Sequence, residues 1–166
     1  MASPPPMVAL DALDEQRQGL RVEFHWRDDR YFHTIYRVTC DTAVPVVTSL
    51  EGAEDELFPA SPCLFELHQQ EQVLFLTGAT SVCHWSLSVQ SMSANRLVFE
   101  VACRLKAKPP WLGSKYEVMH DSAQEMLHTL SGKAMLNDSE QICIASAAEV
   151  PLEFPTTLQW KYAARV

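Results

Sequence analysis

The last eleven residues, 156–166, set Leu158, Trp160, Tyr162, Ala164 and Val166 on every second position, with Thr157, Gln159, Lys161, Ala163 and Arg165 between them. A period of two is the mark of a half-buried β-strand, because successive side chains point to opposite faces. The same alternation returns over residues 20–26, 83–89 and 97–107, each time with apolar side chains on one face and Arg, Glu, His or Ser on the other. Strands that are apolar on one side only belong to antiparallel sheets wrapped around a shared core.

Strands are predicted near 20–27, 31–40, 45–50, 62–68, 72–78, 82–91, 95–108, 114–119, 140–147 and 156–166. So many short strands separated by turn signals predict an all-β fold, mainly an antiparallel barrel of about eight to ten strands, with a two-sheet β-sandwich as the alternative. In a closed barrel the strand at 156–166 needs a second neighbour, most simply the strand from Leu20. The outline is similar to the lipocalin and fatty-acid-binding cup. That similarity is one of architecture alone, since the early Gly-x-Trp motif of lipocalins is missing.

Residues 20–166 read as one domain, preceded over 1–19 by an extended proline-containing leader and a short helix at 8–18 with Leu10 and Leu13 inward. Within the barrel, Ala123, Met126, Leu127 and Leu130 follow the i, i+3, i+4, i+7 rule, Ser122 and Glu125 match a capping box, and Gly132 suits a C-cap. This predicts one short amphipathic helix over 121–132.

Two hairpins have a readable register. Placing Leu20, Val22, Phe24 and Trp26 on the face of Phe32, Tyr36, Val38 and Cys40 requires an odd loop, which Asp28-Asp29-Arg30 supplies. A loop at 92–94 sets Cys83, Trp85, Leu87 and Val89 opposite Cys103, Val101, Phe99 and Leu97, all apolar pairs.

The net charge of −8 is carried by residues 1–100 and disfavours binding to phosphate backbones, so no nucleic-acid partner is expected. No apolar run approaches the roughly 20 residues of a spanning helix, so no membrane partner is expected either. Five scattered cysteines without a CxxC pair read as reduced thiols, and the proline-rich start lacks the features of a signal segment; both point to the cytoplasm.

No phosphate-binding, calcium-binding or nucleophile-elbow motif accompanies these strands, and no cofactor is indicated. In the odd-loop register His25 and His33 face each other, and a third imidazole, His84, would complete a metal site if the fold brought it there. A solvated sheet face explains the same three residues. Cys83 and His84 point to opposite faces and cannot act as thiol and base, whereas Cys83 and Cys103 can meet across their hairpin.

The aromatic residues on the inward faces give the leading expectation: a non-catalytic barrel that holds a small, partly apolar or aromatic ligand, lined by Trp26, Tyr36, Trp85, Phe99 and Trp160. The alternatives are a protein-interaction or structural module with a filled core, using an outer sheet face or the Trp111 loop, and a His-dependent metal enzyme. A ligand carrier predicts an internal cavity of a few hundred Å³, since ligand pockets occupy about 300–1,000 Å³. An interaction module predicts a filled interior and an exposed apolar patch.

Overall fold

The computed structural model describes residues 3–40, 42–52 and 55–166, so Met1 and Ala2 of the expected leader and Ala53 and Glu54 of the loop after Glu51 lie outside the described residues. Among the described residues the chain forms thirteen strands and one helical turn, and every strand pairing is antiparallel. One sheet runs in the order β1 (Val8–Leu13), β2 (Gly19–Arg27), β3 (Arg30–Thr39), β4 (Thr42–Ser49), β9 (Ser114–Val118), β12 (Ile142–Ala145), β11 (Lys133–Leu136). The other runs β10 (Leu127–Ser131), β13 (Thr156–Arg165), β8 (Arg96–Leu105), β7 (Cys83–Ser93), β6 (Val73–Ala79), β5 (Glu66–Gln70).

The inward rows of both sheets merge into one core that includes Leu20, Val22, Phe24 and Ile35 from the first and Leu76, Leu87, Phe99, Trp160 and Tyr162 from the second. This arrangement fits the sandwich, and the expected closed barrel is not seen. Closure gives every strand two ladder neighbours, whereas β1, β11, β10 and β5 each end a sheet. Strand β13 pairs with β8 and β10 rather than with the strand from Leu20. The sheets are stitched instead at their corners, where Asn95 N donates to Ala12 O at 2.9 Å and Tyr31 N to Leu64 O at 2.7 Å. Gly132, at φ +134°, carries the chain from β10 in one sheet to β11 in the other.

Both expected helices are corrected. Residues 8–13 form strand β1, which pairs residue for residue with β2 and buries Leu10 and Ala12. Asp14 ends it by accepting the Gln16 and Gln18 amides on Oδ1, each at 2.9 Å, in a tight turn back to Gly19. In the second segment only Ala123–Met126 (α1) is helical, and Leu127 turns extended at ψ 122° to begin β10. The capping hydroxyl is used elsewhere: Ser122 Oγ lies 2.9 Å from His120 Nδ1 and makes no cap hydrogen bond. Pairing with β13 outcompetes a helix that would have buried the same Met126 and Leu127.

The first hairpin corrects a register. Asp28 and Asp29, at φ 53° and 59°, make a two-residue turn, so Arg27 pairs with Arg30, Phe24 with His33 and His25 with Phe32. An even loop swaps the faces of β3 relative to the odd one. His33 therefore points into the core and Phe32 points out. The second hairpin turns at Ala94-Asn95 with an irregularity between Ser91 and Ser93, which moves each partner by two residues from the expected one, pairing Val89 with Phe99, Leu87 with Val101, Trp85 with Cys103 and Cys83 with Leu105. A shift of two leaves every side chain on its expected face.

Candidate functional site

The five aromatic residues expected to line a lumen do not converge. Trp85, Phe99 and Trp160 are core residues, with Phe99 stacked on Tyr162 at 5.0 Å and Trp160 Nε1 donating to Ser114 Oγ at 3.0 Å. Tyr36 is half-buried beside Glu23 on the polar side of its sheet, where Glu23 also meets His25 at 3.1 Å and Arg21 holds Asp11 at 2.6 Å. Trp26 stands at the end of β2, half-buried and edge-on to Tyr31 at 5.0 Å. Between the sheets a cavity of about 10 Å³ is lined by Tyr31, His33, Glu51, Ser61, Ser114 and Tyr162 among others.

Nor do the three histidines meet. His25 lies on the outer face, stacked on Phe32 at 5.4 Å, His33 is inside, and His84 is exposed on the opposite sheet. Among the described residues no group of three or more His, Cys, Asp or Glu is placed to hold a metal ion.

Among the described residues, the open surface clefts include two of ligand size. One, of about 480 Å³, borders α1 and includes Glu117, His120, Asp121 and Glu140. The other, of about 820 Å³, is formed at the tip of the β2–β3 hairpin by Trp26, Arg27, Asp28, Asp29, Arg30, Glu51 and Gly52. Glu51 stands between the second cleft and the interior, lining both this cleft and the small internal cavity.

Behind Glu51 runs a buried polar network. The Ser49 hydroxyl donates to Glu51 Oε1 at 2.9 Å and accepts the His33 backbone amide at 2.9 Å. The His33 ring, flanked by Phe24 and Phe99, places Nε2 at 2.8 Å from the Tyr116 hydroxyl, which meets the Tyr162 hydroxyl at 2.6 Å. Burial drives the His33 pKa down to about 3, so its imidazole is neutral. Burial also raises the Tyr162 phenol to about 12 and holds Tyr116 well above its ordinary value.

Glu51 is the group in this network that titrates near neutrality. Burial pushes its carboxyl up to about 7, against the pull of the Ser49 hydroxyl and of Arg30 and Arg27. Its Oε2 is covered and has no hydrogen-bond partner among the described residues. A carboxyl whose folded pKa lies above its unfolded value costs stability once the pH exceeds the unfolded value, and the cost is fully developed above the folded one. From 4.5 to about 7 the cost grows to about 3 kcal/mol. Glu51→Gln is therefore expected to raise stability by up to that amount at pH 8 and to change it little at pH 4.5, measured as urea midpoints. Equal midpoints at pH 8 would show that the carboxylate is not desolvated.

Sequence reasoning missed both Glu51, which no motif singles out, and the inward side of His33. The usable signal for His33 was the Asp28-Asp29 pair, which suits a two-residue turn with both residues at positive φ. Comparison with known proteins finds no matching family model, no matching curated protein and no matching solved structure.

Proposed function

We propose that the protein is a non-catalytic small-molecule-binding β-sandwich that holds a partly apolar ligand at the Trp26–Glu51 end, outside the sheets. The observation that carries this reading is the cleft of about 820 Å³ with an indole in its wall and an incompletely bonded carboxyl behind it. Its volume lies in the usual range for ligand pockets, and five of its seven lining residues are charged, so the Trp26 indole is the large apolar surface that a guest would meet there. A lipocalin-like lumen finds no support, since about 10 Å³ between the sheets has room for one water at most. Among the described residues no helix is long and apolar enough to cross a membrane. The five free thiols, four of them buried, suit the reducing cytoplasm, where we place the protein.

A thermal-shift screen with small aromatic amines, amidines, amides and carboxylates tests the proposal. At least one class should raise the melting temperature, and Trp26→Ala should weaken that compound's binding by at least about tenfold, a loss of about 1.4 kcal/mol. Binding unchanged in Trp26→Ala would place the ligand elsewhere.

A second reading, an interaction module, is favoured by the filled interior together with exposed Leu130, Met135 and Leu136 along the β10–β11 edge. The Trp111 loop is a poorer docking point, because Lys115 lies over the indole at 4.6 Å and its Nε1 donates to Ala60 O at 3.4 Å. Sedimentation showing a dimer that Leu136→Lys dissolves, with no compound bound, would favour this reading.

A further inference from the structure

We propose that Glu51 anchors the ligand of this cleft and that the ligand is a small organic cation, an amine or amidinium carried on an apolar body. The inference rests on the cleft-binding reading and names the chemistry of the guest. Three observations lead to it.

The first is the state of the carboxyl. Oε1 is held by Ser49, whereas Oε2 is shielded from solvent and lacks a hydrogen-bond partner among the described residues. A buried acceptor in that condition carries an unrecovered desolvation cost, which a donor reaching it removes. The terminal torsion of a Glu side chain is soft, so a small rotation turns a carboxyl oxygen toward the cleft wall that Glu51 already forms. An N–H⁺ donor gains more there than a neutral one, because hydrogen bonds between ionised partners are about twice as strong.

The second is the charge of the surroundings. The cleft carries two guanidinium groups and three carboxyls, on a chain of net charge −8. Arg27 is already engaged, with its guanidinium 4.1 Å above the Phe32 ring and 3.9 Å from Asp28. The local field and the overall field thus both favour a cation over an anion once Glu51 is ionised. The third is Trp26, whose half-buried indole offers an apolar and cation-attracting surface on the same wall.

Binding of such a guest selects the ionised carboxylate, so it releases a proton. Among the described residues, the charged and titratable groups that face Glu51 are Arg27 on β2, Arg30 on β3, Asp28 and Asp29 at the turn, Cys63 in the segment before β5, and Tyr116 on β9, with neutral His33 across the small cavity. With Glu51 titrating at about 7, its ionised fraction rises about 30-fold between pH 5.5 and pH 8.5.

The test is calorimetric titration of the full chain with benzamidine, benzamide and benzoate at pH 5.5 and 8.5, with the Trp indole resonances reporting location. Benzamidine is expected to bind more tightly than the other two at pH 8.5 and to weaken by about 30-fold at pH 5.5. Glu51→Gln should reduce its affinity at pH 8.5 by at least about tenfold and flatten the pH profile to within about twofold. Should that variant not fold, a carboxyl carbon resonance of Glu51 in the wild type should move its titration to lower pH when benzamidine is added. Benzamidine that perturbs Trp26 with no pH dependence would leave the cleft reading standing and overturn the role of Glu51. Benzoate bound best, with affinity falling as pH rises, would overturn the cationic class. No perturbation of Trp26 by any of the three would overturn the cleft reading and the inference with it.

Discussion

Replacing His33 by Phe is expected to make the fold less stable at pH 7.5 by about 1 kcal/mol and more stable at pH 4 by about 2 kcal/mol, so that the two unfolding curves cross. The neutral-pH loss is that of one hydrogen bond, between His33 Nε2 and the Tyr116 hydroxyl, while Tyr116 keeps its bond to Tyr162. The ring itself is replaceable, because it is held between Phe24 and Phe99 at centroid distances of 4.9 and 5.8 Å. The acid-side gain follows from linkage. A base whose folded pKa is depressed leaves the unfolded chain to take up the proton first, so stability falls as the pH drops below 6.5 and levels off only near 3. Over that interval the cost approaches about 5 kcal/mol.

Glu51 acts in the opposite sense over part of the same range, since its carboxyl protonates in the fold at about 7 while the unfolded chain remains ionised down to 4.5. The two groups nearly offset each other between those values, and below 4.5 the His33 loss continues alone. Urea midpoints at pH 7.5 and pH 4 check this. Parallel curves for the two proteins would show that His33 is not held neutral inside the core.

Trp160→Ala is expected to cost about 3–5 kcal/mol, near the upper end for a single core truncation. Trp160 is fully buried on β13, an interior strand of its sheet, and its Nε1 hydrogen bond to Ser114 crosses to β9 in the opposite sheet. Truncation opens a large void and cuts a bond between the layers. For a chain of this length the melting temperature should fall by about 10 °C or more. If the aromatic residues lined a lumen, the same change would only enlarge a space already present and would cost far less. A drop of less than about 3 °C would therefore count against a filled interior.

What the sequence conveyed and what it did not have separate physical causes. Alternation in residues 83–89, 97–107 and 156–166 reports which side chains share a face, and Trp85, Phe99 and Trp160 are accordingly core residues. Alternation carries no information on closure, so a barrel and a sandwich read alike until Gly132 is seen passing the chain between sheets. Helical spacing at 123–130 was genuine, but sheet pairing at Leu127 offered the same burial with ladder hydrogen bonds in addition. Leu10 and Leu13 were likewise compatible with a helix, and pairing with β2 decided otherwise.

The site was harder to read because it hinges on one residue of loop length. An odd turn sets His33 opposite His25 and suggests a metal pair; the two-residue Asp28-Asp29 turn moves His33 inside to join Ser49, Glu51, Tyr116 and Tyr162. These partners are separated from His33 by as many as 129 positions in sequence. Of the five aromatic residues expected to line a ligand site, Trp26 alone borders the hairpin cleft.

The most direct measurement is a set of ¹⁵N–¹H spectra of the four tryptophan indoles, Trp26, Trp85, Trp111 and Trp160, recorded during addition of benzamidine at pH 8.5. The account predicts that the Trp26 signal shifts progressively and saturates while those of Trp85 and Trp160 stay fixed between the sheets. Movement of Trp85 or Trp160 with Trp26 unchanged would place the ligand in an interior that this fold fills with side chains, and would contradict it.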